Sequence, residues 1–149
     1  MNGITVPTLI KGGRVVDDRG ALNFVNDFSL QGFKRSYTVQ NHRQGFIRAW
    51  HGHLKEAKAF TVVCGSVLAC AVRMTDAISP SKQEEVKKFT LSSTTPSTLI
   101  IPAGYANGFM NLTRDAVLLV FSSSTLEESL KDDYRFEFDY WNPWTIEHR

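Results

Sequence analysis

The densest run of chemically able side chains in this sequence is Arg48-Ala49-Trp50-His51-Gly52-His53. In an extended strand the side chains alternate with a period of two, so His51 and His53 project from one face. Two imidazoles on one face can bind a metal ion, or one can act as a base with the other as its neighbour. An imidazole titrates close to neutral pH, which suits it to removing a proton from carbon or oxygen. Arg48 adds a cation whose fork geometry fits phosphate. An ammonium facing the same interior, Lys58, suits an anion such as an enolate oxygen or a phosphate.

Short strands divided by turn chemistry must position these groups. Phe60–Cys64 and Val67–Arg73 are rich in Val, Ala and Cys, and Gly65-Ser66 between them predicts a hairpin. In that pairing Cys64 faces Val67 and Cys70 lies near Thr61. The two thiols then do not bond each other, which fits a reducing compartment, the cytoplasm by default. Leu99–Ile101 runs into Pro102-Ala103-Gly104, a turn, and Ala116–Phe121 is a further apolar strand closed by three serines. Upstream, Leu22–Phe28 and Lys34–Gln40 read as strands on either side of Gly32. Ser79–Lys88 carries Pro80 and a charged run, and reads as a surface connection with room for a helical turn. The aromatic segment Asp139–Trp144 is expected to pack as a tail, across a barrel opening or against a partner subunit. Closely spaced short strands of this kind predict an all-β sandwich or barrel.

The bulk properties exclude several classes. The 149 residues suit one domain spanning 1–149, and 42% hydrophobic with 21% charged residues is ordinary globular composition. A net charge of +2, with basic and acidic residues interspersed, speaks against a nucleic-acid surface. No apolar run approaches the ~18 residues a membrane helix needs. The first residues show no charged and apolar signal pattern. Neither nucleic acid nor a membrane is therefore an expected partner.

Gly45, His51-x-His53, Lys58 and Gly65 overlay the first cupin motif, and Pro102-x-Gly104-x-x-Asn107-x-x-x-Asn111 overlays the second. Metal-binding cupins carry Glu and His where this chain has Lys58 and Asn107. An ammonium has no lone pair to give, and a neutral amide oxygen is a poor ligand for zinc or iron. The expectation is a single-domain cupin, a jelly-roll β-barrel, with no metal and no other cofactor.

The order of motifs resembles the dTDP-4-dehydrorhamnose 3,5-epimerase family. The resemblance is carried by Asp17-Asp18-Arg19-Gly20, Gln40-Asn41-His42, Arg48-Ala49-Trp50-His51, Lys58 with Gly65, and Ile101-Pro102-Ala103-Gly104-Tyr105-Ala106-Asn107-Gly108-Phe109. Lys34-Arg35-Ser36-Tyr37, followed by Arg48, His51 and His53, is similar instead to the dTDP-sugar 3,4-ketoisomerases. Two departures from the epimerases stand out. No counterpart is expected for their C-terminal segment, with the Asp that partners the catalytic His, and no tyrosine falls near Thr125-Leu126-Glu127.

The resemblance implies epimerisation at C3, at C5 or at both of a nucleoside-diphosphate-linked 4-keto-6-deoxy sugar, through an enolate. The alternative is a 3,4-ketoisomerase; outside catalysis, a carbohydrate-binding cupin competes. His51, Lys58, His53 and Tyr37 are the implied catalytic groups. Arg19, Asn41, Arg48, Tyr105 and Asn107 are the implied substrate-binding residues. A homodimer joined through N-terminal strands is expected, with Arg19 reaching into the neighbouring subunit.

Overall fold

The computed structural model describes residues 3–149; Met1 and Asn2 lie outside the described residues. In chain order the first strands are β1 (Thr8–Lys11), β2 (Gly13–Asp17), β3 (Gly20–Phe24), β4 (Arg35–Gln40), β5 (Ile47–His53) and β6 (Lys58–Cys64). They are followed by β7 (Ser66–Arg73), β8 (Lys87–Ser92), β9 (Ser97–Ile101), β10 (Tyr105–Asn111) and β11 (Val117–Ser122). A five-residue helix, α1 (Leu126–Leu130), and a short strand, β12 (Tyr134–Arg135), come last.

The strands form two five-stranded antiparallel sheets. One has the order β1-β9-β6-β11-β4, and the other the order β12-β5-β10-β7-β8. The β2–β3 hairpin stands apart as a two-stranded ribbon. The sheets face each other as a jelly-roll-like sandwich and do not close into the expected barrel. Between them lies a core of Phe60, Val62, Val67, Leu91, Leu99, Ile101, Leu118 and Val120, all nearly sealed from water. The strict alternation of buried and partly open positions along β11 shows why: every second residue must enter this core.

A second apolar cluster covers the outer face of the second sheet. Trp141 and Trp144 of the C-terminal tail pack on Trp50 with ring centroids 5.4 and 5.1 Å away. The tail thus covers the back of the strand that carries the histidines and leaves the mouth of the sandwich open. Burying three indoles demands partners for their N–H groups. Trp50 and Trp144 donate to the Phe138 carbonyl, and Trp141 donates to the Ser81 carbonyl.

The hairpin expected at Gly65-Ser66 is not one. β6 pairs with β9 and β11, whereas β7 pairs with β8 and β10, so Gly65 carries the chain from one sheet to the other. Gly65 has φ +68°, and a Cβ there would lie 2.7 Å from Asp115 Oδ1 and 2.9 Å from Ala116 Cα, so the corner requires glycine. Cys64 and Cys70 consequently belong to different sheets, and both are free thiols. Other boundaries shift as well. β3 ends at Phe24, after which Phe28 and Phe33 stack near Phe121. Ser79–Val86 contains turns and bends without a helix, and β8 begins at Lys87.

Candidate active site

The open end of the sandwich holds a cavity of about 260 Å³. Its walls come from both sheets: Tyr37 on β4, Arg48, His51 and His53 on β5, Lys58 on β6, and Asn107 on β10. The segment from α1 to β12 closes one side with Leu126, Ser129, Leu130, Asp133 and Arg135.

Strand alternation alone cannot bring Arg48 and His51 to one cavity, because an odd separation points them to opposite faces. The ladder between β5 and β10 resolves this. Asn107 is opposite His51 and Phe109 is opposite Arg48, so β5 accommodates one extra residue at a β-bulge. Gly108 sits at that irregularity. A Cβ on it would come within 2.6 Å of Ala49 Cβ and 3.1 Å of the Arg48 carbonyl oxygen. The bulge rotates Arg48 towards the cavity, where its Nε donates to Asn41 Oδ1 at 2.6 Å. Asn41 in turn donates to Asn111 Oδ1 at 2.9 Å, forming a buried amide pair that fixes the arginine.

Lys58 is buried, and its ammonium donates to the Tyr37 hydroxyl at 3.2 Å. Among the described residues no carboxylate lies within ion-pair distance of it. A buried cation without a counter-ion is costly, so the position favours an incoming anion. Arg35, Arg48 and Arg135 line the same cavity, against the single carboxylate of Asp133.

His51 stands across the ladder from Arg135. Burial, aided by Arg135, Lys58 and His53 and opposed by Asp133, brings its pKa down to about 4. The ring is therefore neutral at pH 7, with a lone pair available. Asn107 donates to the His51 backbone carbonyl at 3.1 Å, which fixes the strand at this point.

His53 is sealed more tightly, at 3% exposure. Its Nδ1 lies 2.6 Å from the Asp132 carbonyl oxygen and 3.1 Å from Glu56 Oε2. Both neighbours are acceptors, so Nδ1 carries the hydrogen and Nε2 carries the lone pair. Burial and Lys58 lower the His53 pKa, while Glu56 and Asp132 oppose them. Glu56 itself is buried and accepts hydrogen bonds from the hydroxyls of Ser122 and Ser129.

The expected residues therefore divide. His51, His53, Lys58, Tyr37, Arg48 and Asn107 meet at one cavity. Asn41 acts behind it, through Arg48. Tyr105 packs against the central core and does not line the cavity. Arg19 sits at the tip of the β2–β3 hairpin, exposed and paired with Asp17, away from the cavity lining. Sequence reasoning missed Arg35, Glu56, Asp132, Asp133 and Arg135 as site residues. Only Arg35 carried a local signal, through its place beside Tyr37. Among the described residues no group of three or more His, Cys, Asp or Glu is arranged to hold a metal ion. Lys58 and Asn107 occupy the positions where further ligands would be needed, and their chemistry does not fit one.

No curated protein sequence matches the chain. Among solved structures, the QdtA sugar 3,4-ketoisomerase from Thermoanaerobacterium thermosaccharolyticum, in complex with TDP, superposes with a TM-score of 0.67 at 23% identity, covering 92% of this chain and 93% of that one. The dTDP-4-dehydrorhamnose 3,5-epimerase from Sulfolobus tokodaii gives a TM-score of 0.74 at 22% identity, covering 95% of this chain and 83% of that one. ChmJ, a 3′-monoepimerase from Streptomyces bikiniensis in complex with dTDP-quinovose, gives 0.74 at 18% identity, covering 97% and 78%. At these identities the likeness speaks to the fold. The sequence itself matches the family model described as dTDP-4-dehydrorhamnose 3,5-epimerase over residues 7–138, nearly its whole length. The chain belongs to the dTDP-4-dehydrorhamnose 3,5-epimerase family.

Proposed function

We propose that this protein epimerises a nucleoside-diphosphate-linked 4-keto-6-deoxy sugar at C3, at C5 or at both, through an enolate and without a metal. The observation that carries the reading is the buried Lys58 ammonium, without a carboxylate partner among the described residues, beside two neutral imidazoles in a cavity lined by three arginines. Ligand cavities usually measure roughly 300–1,000 Å³. At about 260 Å³ this one suits the sugar, with the diphosphate at the arginines and the nucleoside over the open mouth.

The 4-keto group acidifies the neighbouring C–H bonds. His51 takes one of those protons, and the electron pair moves to O4. Lys58 stabilises the resulting oxyanion from a position fixed before the reaction, an effect worth several kcal/mol in a dry site. Return of a proton to the same carbon from the opposite face completes an epimerisation. Arg48, Arg35 and Arg135 hold the phosphates, whose negative charge offsets the cations that depress His51 and makes it a better base.

One observation favours 3,4-ketoisomerisation as a second reading. Among the described residues Tyr37 is the single phenol lining the cavity, and the α1 wall presents Leu126 and Leu130 with no tyrosine. Proton return to C4 instead of C3, with the O3 proton passed to O4, would then exchange the ketone and hydroxyl positions.

The test is proton NMR in deuterated water with dTDP-4-keto-6-deoxyglucose. Loss of the C3 or C5 proton signal, abolished by His51→Ala, is expected. The position of the ketone in the product separates epimerase from ketoisomerase. Absence of exchange with dTDP-, GDP-, UDP- and CDP-linked 4-keto sugars would overturn catalysis in favour of a carbohydrate-binding module.

A homodimer belongs to the same proposal. The β2–β3 hairpin leaves the core with Val15, Val16 and Leu22 more than half exposed, which gives a second copy an apolar edge to cover. The free thiols of Cys64 and Cys70 support a cytoplasmic setting. Among the described residues no helix is long and apolar enough to cross a membrane.

A further inference from the structure

Glu56 is a buried carboxylate that the reaction above does not use. Its side chain is fully sealed from water, yet it is not simply neutralised by a salt bridge. The Arg35 guanidinium is 3.7 Å from Oε1, and the closer partners are two serine hydroxyls and His53. The backbone around it is equally fixed. Asp132 accepts from the N–H groups of Leu54, Lys55 and Glu56, each at 2.9 Å, so the turn between β5 and β6 is wound around one carboxylate. The Asp132 carbonyl then takes His53 Nδ1. The consequence is an imidazole held at Nδ1 from two sides. Its Nε2 is buried and has no hydrogen-bond partner among the described residues, and its ring forms part of the cavity wall. An orphaned buried nitrogen calls for an explanation, and a substrate hydroxyl supplies one.

We propose that Glu56 is the positioning carboxylate of His53, and that with Asp132 it makes His53 a second proton carrier facing the cavity. The catalytic part rests on the 3,4-ketoisomerase form of the nucleotide-sugar reading given above, in which a hydroxyl proton must move from O3 to O4. In this arrangement His53 Nε2 accepts the proton of the substrate O3 hydroxyl, the O–H bond breaks as the C3 ketone forms, and the same proton is delivered to O4. Nδ1 keeps its hydrogen throughout. The charge on the ring is transient, and the Glu56 carboxylate meets it without taking a proton itself. His51 carries the carbon-bound proton and His53 the oxygen-bound one. The groups facing His53 are Glu56 from the turn, Asp132 after α1, Lys58 on β6 and His51 on β5, with Arg35 on β4 behind Glu56. Lys58 disfavours the imidazolium and the two acids favour it, so removing Glu56 leaves Lys58 less opposed.

Long-range proton–nitrogen NMR of the histidine rings in the full-length protein tests the pairing without any substrate. His53 is expected as the Nδ1–H tautomer, and Glu56→Gln is expected to lower its titration point. Ser129→Ala removes one hydroxyl from Glu56 Oε2 and is expected to shift His53 the opposite way; it serves as the milder variant should Glu56→Gln fold poorly. Kinetically, Glu56→Gln should lower kcat by roughly 10²-fold with KM little changed, and should move the acid limb of the pH profile to lower pH. Glu56→Asp, which keeps the charge, should recover part of the loss. A His53 Nε2–H tautomer, or a titration unmoved by both variants, would overturn the pairing. Normal kcat in a folded Glu56→Gln protein would overturn the catalytic role. Failure of the wild type to exchange deuterium with any nucleotide sugar would overturn that role together with the proposed function, while the NMR result still decides the pairing.

Discussion

Two histidines separated by one glycine occupy different chemical settings. His51 is partly open, faces Arg135 and Lys58, and has its pKa lowered to about 4, chiefly by burial. Its unfolded value is near 6.5. Between these two values the unfolded chain binds more protons than the folded one, so stability rises with pH across that window. The folding free energy is therefore expected to be undiminished by His51 above pH 6.5 and to fall as the pH drops towards 4. Urea titrations of wild type and His51→Asn at pH 7 and pH 5 check this. The wild type should lose more of its midpoint than the variant, and equal losses would show that another group controls the acid limb.

At the scale of elements, the β5–β6 turn is the device that makes the site. Nothing in Leu54-Lys55-Glu56 specifies a local turn through Gly, Pro or Asn, and the segment is ordered from outside by Asp132. Asp132 is 5% exposed, so its removal leaves three backbone donors short of an acceptor. Asp132→Ala is expected to cost about 2–4 kcal/mol of stability, because hydrogen bonds to a buried charge are among the stronger ones. Thermal unfolding measures it, and a loss under about 0.5 kcal/mol, the range of ordinary surface substitutions, would mean that the turn holds without its anchor. Helix α1 supports the same turn from the other side. Its N-cap Thr125 and Glu128 form a capping box, which fixes Ser129 where it reaches Glu56.

On the scale of the whole molecule, the fold separates a packed back from a reactive mouth. Trp50, Trp141 and Trp144 close the outer face of the second sheet, and the cations and imidazoles gather at the opposite side of the same strand β5. The β2–β3 ribbon is the part left without a core of its own. Val16 is 67% and Leu22 65% exposed there. For a homodimer that buries this ribbon, the double variant Val16→Glu/Leu22→Lys is expected to shift the sedimentation-equilibrium mass from twice the chain mass to the chain mass. A wild-type protein that sediments as a monomer at micromolar concentration would refute the dimer.

The sequence by itself determined the all-β class, the shared face of His51 and His53, and the place of Lys58 and Asn107 among groups that do not suit a metal. These follow from strand periodicity and from side-chain chemistry, which are local properties. Tertiary structure decided the rest. Alternation reads the same whether Gly65 turns a hairpin or carries the chain between sheets, so the pairing of β6 and β7 could not be read from it. The bulge that rotates Arg48 into the cavity is a feature of the β5–β10 ladder, not of either strand alone. Glu56, Asp132 and Arg135 in isolation read as surface charges. His53 meets Asp132 across 79 residues of chain, and only that closure turns a charged turn into the wall of a site.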